Sequence, residues 1–313
     1  MGRYILNRMV TMIPILFGIS VLVFTIMHMV PGDPASIMLG TNATPEAIAA
    51  MRQSMGLDKP VVTQYLNWIS GLLQGNFGES VRTGEAILPE ILDRFSVTLQ
   101  LSIFAAIIGW TIAVPVGIVS AVRAHTSIDV VGRIAAMLGI SVPNFAFGTL
   151  LLLTLSLYFG WFPPVDYVDF WVDPAEAFKV FILPAVTMGV VLAGGIMRMT
   201  RSAFLETLDK DFIRTARAKG NTEWKVVFGH AFRNSALPIV TLAGMQIGYL
   251  LGGAVIVEQL FSIPGLGQYI LDGIHQRDYP VVQGGVLFVA LVFVTVNLLV
   301  DIIYTWIDPR IKY

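Results

Sequence analysis

The sequence predicts an all-α integral membrane protein with six transmembrane helices. Two observations carry this reading. Of 313 residues, 55% are hydrophobic and only 13% are charged, about half the charge of an ordinary soluble domain, and mean hydropathy is +0.73. In addition, six runs contain no Asp, Glu, Lys or Arg: 9–32, 95–122, 134–165, 180–197, 234–257 and 279–300. Each is close to or above the roughly 20 residues that a spanning helix needs. An open sheet edge in lipid would leave backbone groups unpaired, so the runs are helices. The same composition excludes a disordered chain. A net charge of −1 gives no reason to expect nucleic acid as a partner. The absence of cysteine removes disulfides and thiolate metal sites.

The first run follows Arg3 and Arg8 and is too long for the apolar part of a signal peptide, so a retained helix is expected. Segment 33–94 is read as a small external cap. Within it Thr44-Pro45-Glu46 is a helix start, with a capping hydroxyl, a proline in the first turn and an acid near the positive dipole end. Asp58-Lys59-Pro60 opens a second helical pattern with an apolar face from Val61 to Leu73, and Gly75-Asn76-Phe77-Gly78 breaks the chain.

Prolines punctuate the following spans. Pro115 is expected to interrupt the second, Pro143-Asn144 the third, and Pro184 lies in the fourth with Gly189, Gly194 and Gly195. In the fifth, Gly244, Gly248 and Gly252 recur every four residues and leave a stripe without side chains, which permits close backbone approach. Asn144, Gln246 and Asn297 are uncharged polar groups at membrane depth; Asn144 and Gln246, with the glycine stripe, are candidates for a pathway or gate. Phe261-Ser262-Ile263-Pro264-Gly265-Leu266-Gly267 is expected to be a tight surface or re-entrant turn, because no strand precedes its Gly-x-Gly.

Loop charge sets the orientation. Fourteen of the twenty Lys and Arg residues fall on the side that carries both termini, which the positive-inside rule assigns to the cytoplasm. Eight of them lie in 198–236. There Asp211 is expected to cap a short helix through Lys219, Gly220 to end it, and Asn221 or Thr222 to cap a second short helix bearing Trp224, Val226, Val227 and Phe228. Small residues with arginines on an angled protrusion suit a surface that docks another protein.

Reactive chemistry is scarce. There is no P-loop, and His28, His125, His230 and His275 have no metal-type spacing. No nucleophile elbow occurs. Asp301 stands at the inner end of the last span, and deep carboxylates that would relay protons are few. The chain is therefore expected to be neither an enzyme nor a carrier of a cofactor, and its energy source is expected to lie elsewhere.

At the protrusion the sequence becomes recognisable. Arg214-Thr215-Ala216-Arg217-Ala218-Lys219-Gly220, then His230-Ala231-Phe232-Arg233-Asn234-Ser235-Ala236-Leu237-Pro238, resembles the EAA-type coupling loop of ABC importer permeases. More narrowly, it resembles the B-type permease subunit of the dipeptide/oligopeptide/nickel group. Tyr4-Ile5-Leu6-Asn7-Arg8 with Val30-Pro31-Gly32-Asp33-Pro34, Gly75-Asn76-Phe77-Gly78-Glu79-Ser80, and Glu258-Gln259-Leu260-Phe261-Ser262-Ile263-Pro264-Gly265-Leu266-Gly267 are similar to other stretches of that subunit. The likeness spans essentially the whole chain. Arg214, Thr215 and Ala216 stand where the general pattern has Glu-Ala-Ala, and Leu237-Pro238 comes later than in sugar permeases, as in the peptide branch.

The resemblance implies a type I ABC importer permease fold in a prokaryotic inner membrane. It implies as partners a second homologous permease, two cytoplasmic ATPases and an extracytoplasmic solute-binding protein. Arg214, Ala216, Arg217, Ala218, Gly220, Thr222 and Trp224 would form the ATPase-coupling surface. Residues 1–94 would be a first helix plus cap, 95–305 the five-helix translocation core with its coupling loop at 198–236, and 306–313 a cytoplasmic tail. Short peptides are the expected cargo, with nickel chelates or glutathione as alternatives that share this permease type. An ion-coupled secondary transporter is the alternative of another class.

Overall fold

The computed structural model describes residues 2–30, 32–40, 43–164 and 166–307; the tail expected over 306–313 lies outside the described residues from position 308 on. Regular structure among them is helical, apart from one isolated antiparallel bridge between Glu79 and Ala86. Twelve α-helices follow one another: α1 (Gly2–Met29), α2 (Pro34–Leu39), α3 (Pro45–Ser54), α4 (Val61–Leu73), α5 (Ile87–Val122), α6 (Ser127–Ser141), α7 (Asn144–Phe159), α8 (Pro174–Leu208), α9 (Asp211–Ala218), α10 (Phe232–Phe261), α11 (Leu266–Gln276) and α12 (Tyr279–Ile307). A π-helical segment, Lys225–Ala231, leads directly into α10.

Five helical stretches are continuous, long and apolar enough to cross a membrane: Arg8–Met29, Ile87–Val122, Pro174–Leu208, Lys225–Gly252 and Tyr279–Ile302. The remaining apolar run, 134–165, is broken. Helices α6 and α7 meet at 105° around Val142 and Pro143. The reason is local: proline disfavours helical backbone in the residue before it, and Val142 is extended at φ −85°, ψ 122°. Pro115 does not interrupt its span, contrary to expectation; α5 runs through it, as α8 runs through Pro184 and α10 through Pro238. Neighbouring helices and local adjustment re-satisfy the freed carbonyl in such spans.

The chain forms two compact units, divided within α5 and α12. One contains the residues up to Thr98 together with Pro264–Val294. Its core is Ile87, Ile91, Leu266 and Val281, with Phe95 and Phe288 edge-to-face at 5.2 Å. Buried Asp278 precedes α12, accepts a hydrogen bond from Ser80 Oγ, and so ties the 78–87 turn to that helix. Thr44 caps α3 as expected, its hydroxyl accepting from Ala47 N–H at 3.3 Å. Helix α4 packs along the second half of α1 through Ser20–Tyr65 at 2.8 Å and His28–Gln64 at 3.2 Å. The cap therefore reaches beside the first apolar run rather than only above it. Ser262, left-handed at φ 54°, ends α10, and Gly265 opens α11, so the 261–267 stretch is the turn expected of it.

The other unit contains Leu99–Ile263 and the residues from Thr295 on. Helix α8 is its hub, with 72% of its apolar window buried, and it packs against α6, α7 and α10. Between helices in lipid there is no hydrophobic driving force, so close van der Waals contact of small residues must hold them. A Cβ built on Gly189 would lie 2.8 Å from the Ala105 carbonyl oxygen of α5, and one on Gly194 would lie 2.7 Å from the Ala136 carbonyl oxygen of α6. Both neighbours are backbone and cannot swing aside.

The stripe in α10 behaves differently. Gly244 is closed by Val300, 2.5 Å from a built Cβ, and Gly248 is buried, but Gly252 is exposed with nothing within 4 Å. The stripe is thus not one continuous packing seam within this chain. Gly189→Ala is expected to lower stability by about 1–3 kcal/mol through overpacking. Gly252→Ala is expected to be neutral or to stabilise by up to about 1 kcal/mol through helix propensity. Thermal unfolding of the purified chain in detergent reads both; equal midpoints for the two variants would contradict the assigned packing.

Candidate functional site

The basic segment 198–236 is almost entirely helical. Its first part is the end of α8, and Asp209 and Lys210 turn the chain into α9. Lys210 is the residue before α9, and Asp211 is its first residue rather than its cap. The acid still lies at the positive end of the helix dipole. Gly220 follows the last turn in the left-handed region at φ 76°, as a C-terminal glycine does. Asn221 closes α9 instead of starting the next helix, its side-chain amide donating to the Ala216 carbonyl at 2.9 Å. The second short helix of the sequence reading is not separate. From Glu223 the chain is helical, passes through the π-helical segment Lys225–Ala231 and continues as α10.

Helix α9 packs against the π-helical segment. Ile213 and Ala216 are buried on one side; Val226, Val227 and Ala231 are buried on the other. Ala216 is therefore a filler of this small interior, not part of an outer surface. The outward side carries Phe212, Arg214, Arg217, Ala218, Lys219, Trp224 and Phe228. Trp224 is 73% exposed and lies with its ring centroid 4.0 Å from that of Phe228. Arg217 grips Glu223 across the glycine turn through two hydrogen bonds of 2.8 and 3.3 Å. Thr222 precedes the helical restart, and its carbonyl accepts from Val226 N–H at 3.0 Å. A Cβ on Gly220 would meet nothing within 4 Å. Arg, Trp and Phe on an exposed convex turn are residue types enriched in protein interfaces.

The protrusion is fastened to the bundle. Ser235 Oγ is buried and lies 2.9 Å from Thr207 Oγ1 and 3.2 Å from the Ala203 carbonyl, joining the start of α10 to the end of α8. Further along α8 is a group that sequence reasoning did not single out. The Asp129 side chain is fully buried. It accepts from Arg201 Nε at 2.6 Å and Nη2 at 2.8 Å, from Ser120 Oγ at 2.6 Å and from His125 N–H at 3.1 Å. Arg133 Nε stands 3.6 Å away. Ser120 is on α5, Asp129 and Arg133 on α6, and Arg201 on α8, so one carboxylate pins three helices. The sequence signal was faint: an acid in a first turn with Arg four residues on.

Asn144 and Gln246 come together. They line a small cavity of about 90 Å³ with Met188, Leu192, Tyr249 and Leu250. Asn144 opens α7, its Oδ1 accepting from Phe145 N–H at 2.8 Å. Gln246 Oε1 is buried without a hydrogen-bond partner among the described residues. The amide nitrogen of Gln246 fills the space left by Gly195, 2.7 Å from where a Cβ would stand. Gly244, Gly248 and Gly252 do not line this cavity. Among the described residues no group of three His, Asp or Glu side chains is placed to hold a metal.

Asp129→Asn should lower stability by about 2 kcal/mol, because it leaves Arg201 without its counter-charge inside the bundle. Arg201 is one-fifth exposed, which keeps the loss below that of a fully desolvated pair. Tryptophan-monitored thermal unfolding in micelles measures this, and an unaltered midpoint would show that the carboxylate pins nothing.

The chain has recognisable relatives among known proteins. Residues 113–313 match the family described as binding-protein-dependent transport system inner membrane component, and residues 1–102 match the model for its N-terminal region. The glutathione transport system permease protein GsiC of Salmonella typhi is 42% identical over 313 residues, covering all of both chains. That of Escherichia coli strain K12 is 40% identical over the same full length. Among solved structures, a chain of the MetNI methionine ABC transporter in an inward-facing conformation superposes with a TM-score of 0.59 at 16% identity, covering 71% of this chain and 98% of that one. That likeness shows a shared fold. The ion-coupled carrier considered from the sequence is displaced by these matches. The chain belongs to the binding-protein-dependent transport inner membrane component family and is a permease subunit of an ABC importer, not an enzyme.

Proposed function

We propose that this chain forms half of an inner-membrane import pathway for glutathione or peptides of similar size, worked by separate ATPases. The outward face of α9 and the Gly220 turn carry the coupling part of this reading. In it, both termini and α9 lie on the cytoplasmic side, where the fourteen basic residues of the sequence concentrate. Arg214, Arg217, Ala218, Trp224 and Phe228 sit in a groove on an ATPase. A second permease completes the pathway, and a solute-binding protein delivers cargo from outside. The core 95–305 performs translocation, and 1–94 is an addition to it.

Motion of α9 reaches the bundle along two rigid routes. One is backward into α8, the hub. The other is forward through the π-helical segment into α10, which carries Gln246. ATP-driven closure of the ATPases shifts α9, and the two helices it joins move relative to their neighbours. Asn144 and Gln246 offer both donors and acceptors without net charge. Such groups can hydrogen-bond the amides, ammonium and carboxylates of a short peptide that must bind briefly and leave. Full-length identity of 40–42% to glutathione permeases favours glutathione among the cargoes.

Trp224→Ala removes an exposed aromatic anchor of the kind that costs about 2 kcal/mol at interfaces, so affinity for the partner ATPase is expected to fall about thirtyfold. Gly220→Trp puts a bulky side chain on the exposed turn at a left-handed position that disfavours it, and is expected to abolish uptake and uncouple ATP hydrolysis, while membrane insertion is retained because the strain is confined to the turn. Proteoliposomes of the whole transporter, loaded with ATP and given labelled glutathione or a dipeptide, measure uptake and hydrolysis together. Normal uptake by Gly220→Trp would refute the coupling role. Uptake of the dipeptide but not of glutathione would refute the preference for glutathione and leave the coupling role standing.

A further inference from the structure

A cleft of about 170 Å³ opens between α5, α6 and α8. Its walls are apolar: Val116 from α5, Met137 and Ile140 from α6, and Met197 from α8. Three arginines also border it, Arg133, Arg198 and Arg201. Arg201 is committed to Asp129, and Arg133 stands 3.6 Å from the same carboxylate with its side chain 52% exposed. Arg198 is exposed and has no ion-pair or hydrogen-bond partner among the described residues. Three positive charges therefore share one negative charge, and the excess lies at the cleft.

Two of these arginines also adjoin apolar runs. Arg133 immediately precedes the apolar run 134–165, Arg198 immediately follows 180–197, and the run of α5 ends at 122, just before Arg123. In all three helices the apolar run thus ends beside residues that border the cleft or at their chain neighbours. The outer face of α6 beside it exposes Val131, Ile134, Met137 and Leu138, the pattern of a helix that faces acyl chains. An occupant must present a negative head at the boundary and an apolar body alongside the helices. Free phosphate satisfies only the first requirement, and a neutral lipid only the second.

We infer that the α5–α6–α8 cleft binds an anionic phospholipid, its phosphate held by Arg198 and Arg133 and an acyl chain lying against Val116, Met137, Ile140 and Met197. Basic pockets between spanning helices hold anionic headgroups by this combination of charge and apolar surface. The lipid would brace the same three helices that Asp129 pins. Arg198, which has no ion-pair or hydrogen-bond partner among the described residues, is thereby given a role.

Native mass spectrometry of the full-length chain released from micelles containing dioleoyl-phosphatidylglycerol or dioleoyl-phosphatidylcholine tests the site. Retained phosphatidylglycerol adducts, few phosphatidylcholine adducts, and roughly tenfold weaker retention in Arg133→Gln/Arg198→Gln are expected. Arg198→Lys should keep most of the retention. Equal retention of the two lipids by the wild type, or undiminished phosphatidylglycerol retention in the double variant, would overturn the proposal. Displacement of the lipid by inorganic phosphate that itself remains bound would also overturn it, by showing an anion site without lipid selectivity. Should the double variant fail to fold, Arg198→Gln alone decides, since that side chain has no partner among the described residues to lose.

Discussion

Helix α8 has to be held by shape, because lipid tails are as apolar as the side chains it would otherwise bury. The chain meets that constraint by bringing backbone to backbone. Gly189 lies against Ala105 and Gly109 of α5, and Gly194 lies against Ala136 of α6. Contacts of this kind do not deform gradually, since packed interfaces are close to crystalline density. A helix held this way moves as a body or not at all. The rest of the second unit is arranged around that helix: α6 and α7 bend to follow it, and α10 packs along it.

The proposed coupling role of α9 rests on that rigidity. Helix α9 is not a floppy loop between spans. It is fixed at one end by two residues of turn after α8, and at the other by a glycine turn and a π-helical segment that is continuous with α10. Ser235, bonded to Thr207 and the Ala203 carbonyl, closes the triangle. The exposed Trp224 and arginine face is therefore joined to two long helices at once. A π-helical stretch is uncommon and tends to occur at functional positions. Here it stands between the exposed turn and the helix that carries Gln246.

Charge is used sparingly, and where α5, α6 and α8 meet it is concentrated on one carboxylate. The Asp129 carboxylate is taken out of water but fully bonded, by two guanidinium hydrogens, a hydroxyl and a backbone amide. A buried ion pair of this kind is weak evidence for added stability and better evidence for a fixed arrangement, because alternatives leave a charge unpaired. Two neutral amides of the same unit are also brought together. Gln246 and Asn144 meet in a cavity too small for cargo in this arrangement, with one amide oxygen unpaired among the described residues.

The helical membrane architecture, the Thr44-capped helix, the glycine stop at Gly220 and the pairing of arginine with small residues in 211–220 were all legible in the sequence, because apolar run length and capping chemistry are local properties. Family membership was legible for the same reason: its motifs are short and contiguous. Tertiary structure alone decided which proline breaks a helix. Pro143 does and Pro115 does not, since the outcome depends on whether neighbouring helices accommodate the distortion. It also decided that Ala216 points inward, that Asn221 closes α9 rather than opening the next helix, and that Gly244 is sealed by Val300 while Gly252 stands open. The Asp129–Arg201 pair spans 72 residues, and Asn144 meets Gln246 across about a hundred positions. No local pattern encodes such distances; only the packing of α8 against its neighbours brings these residues within reach.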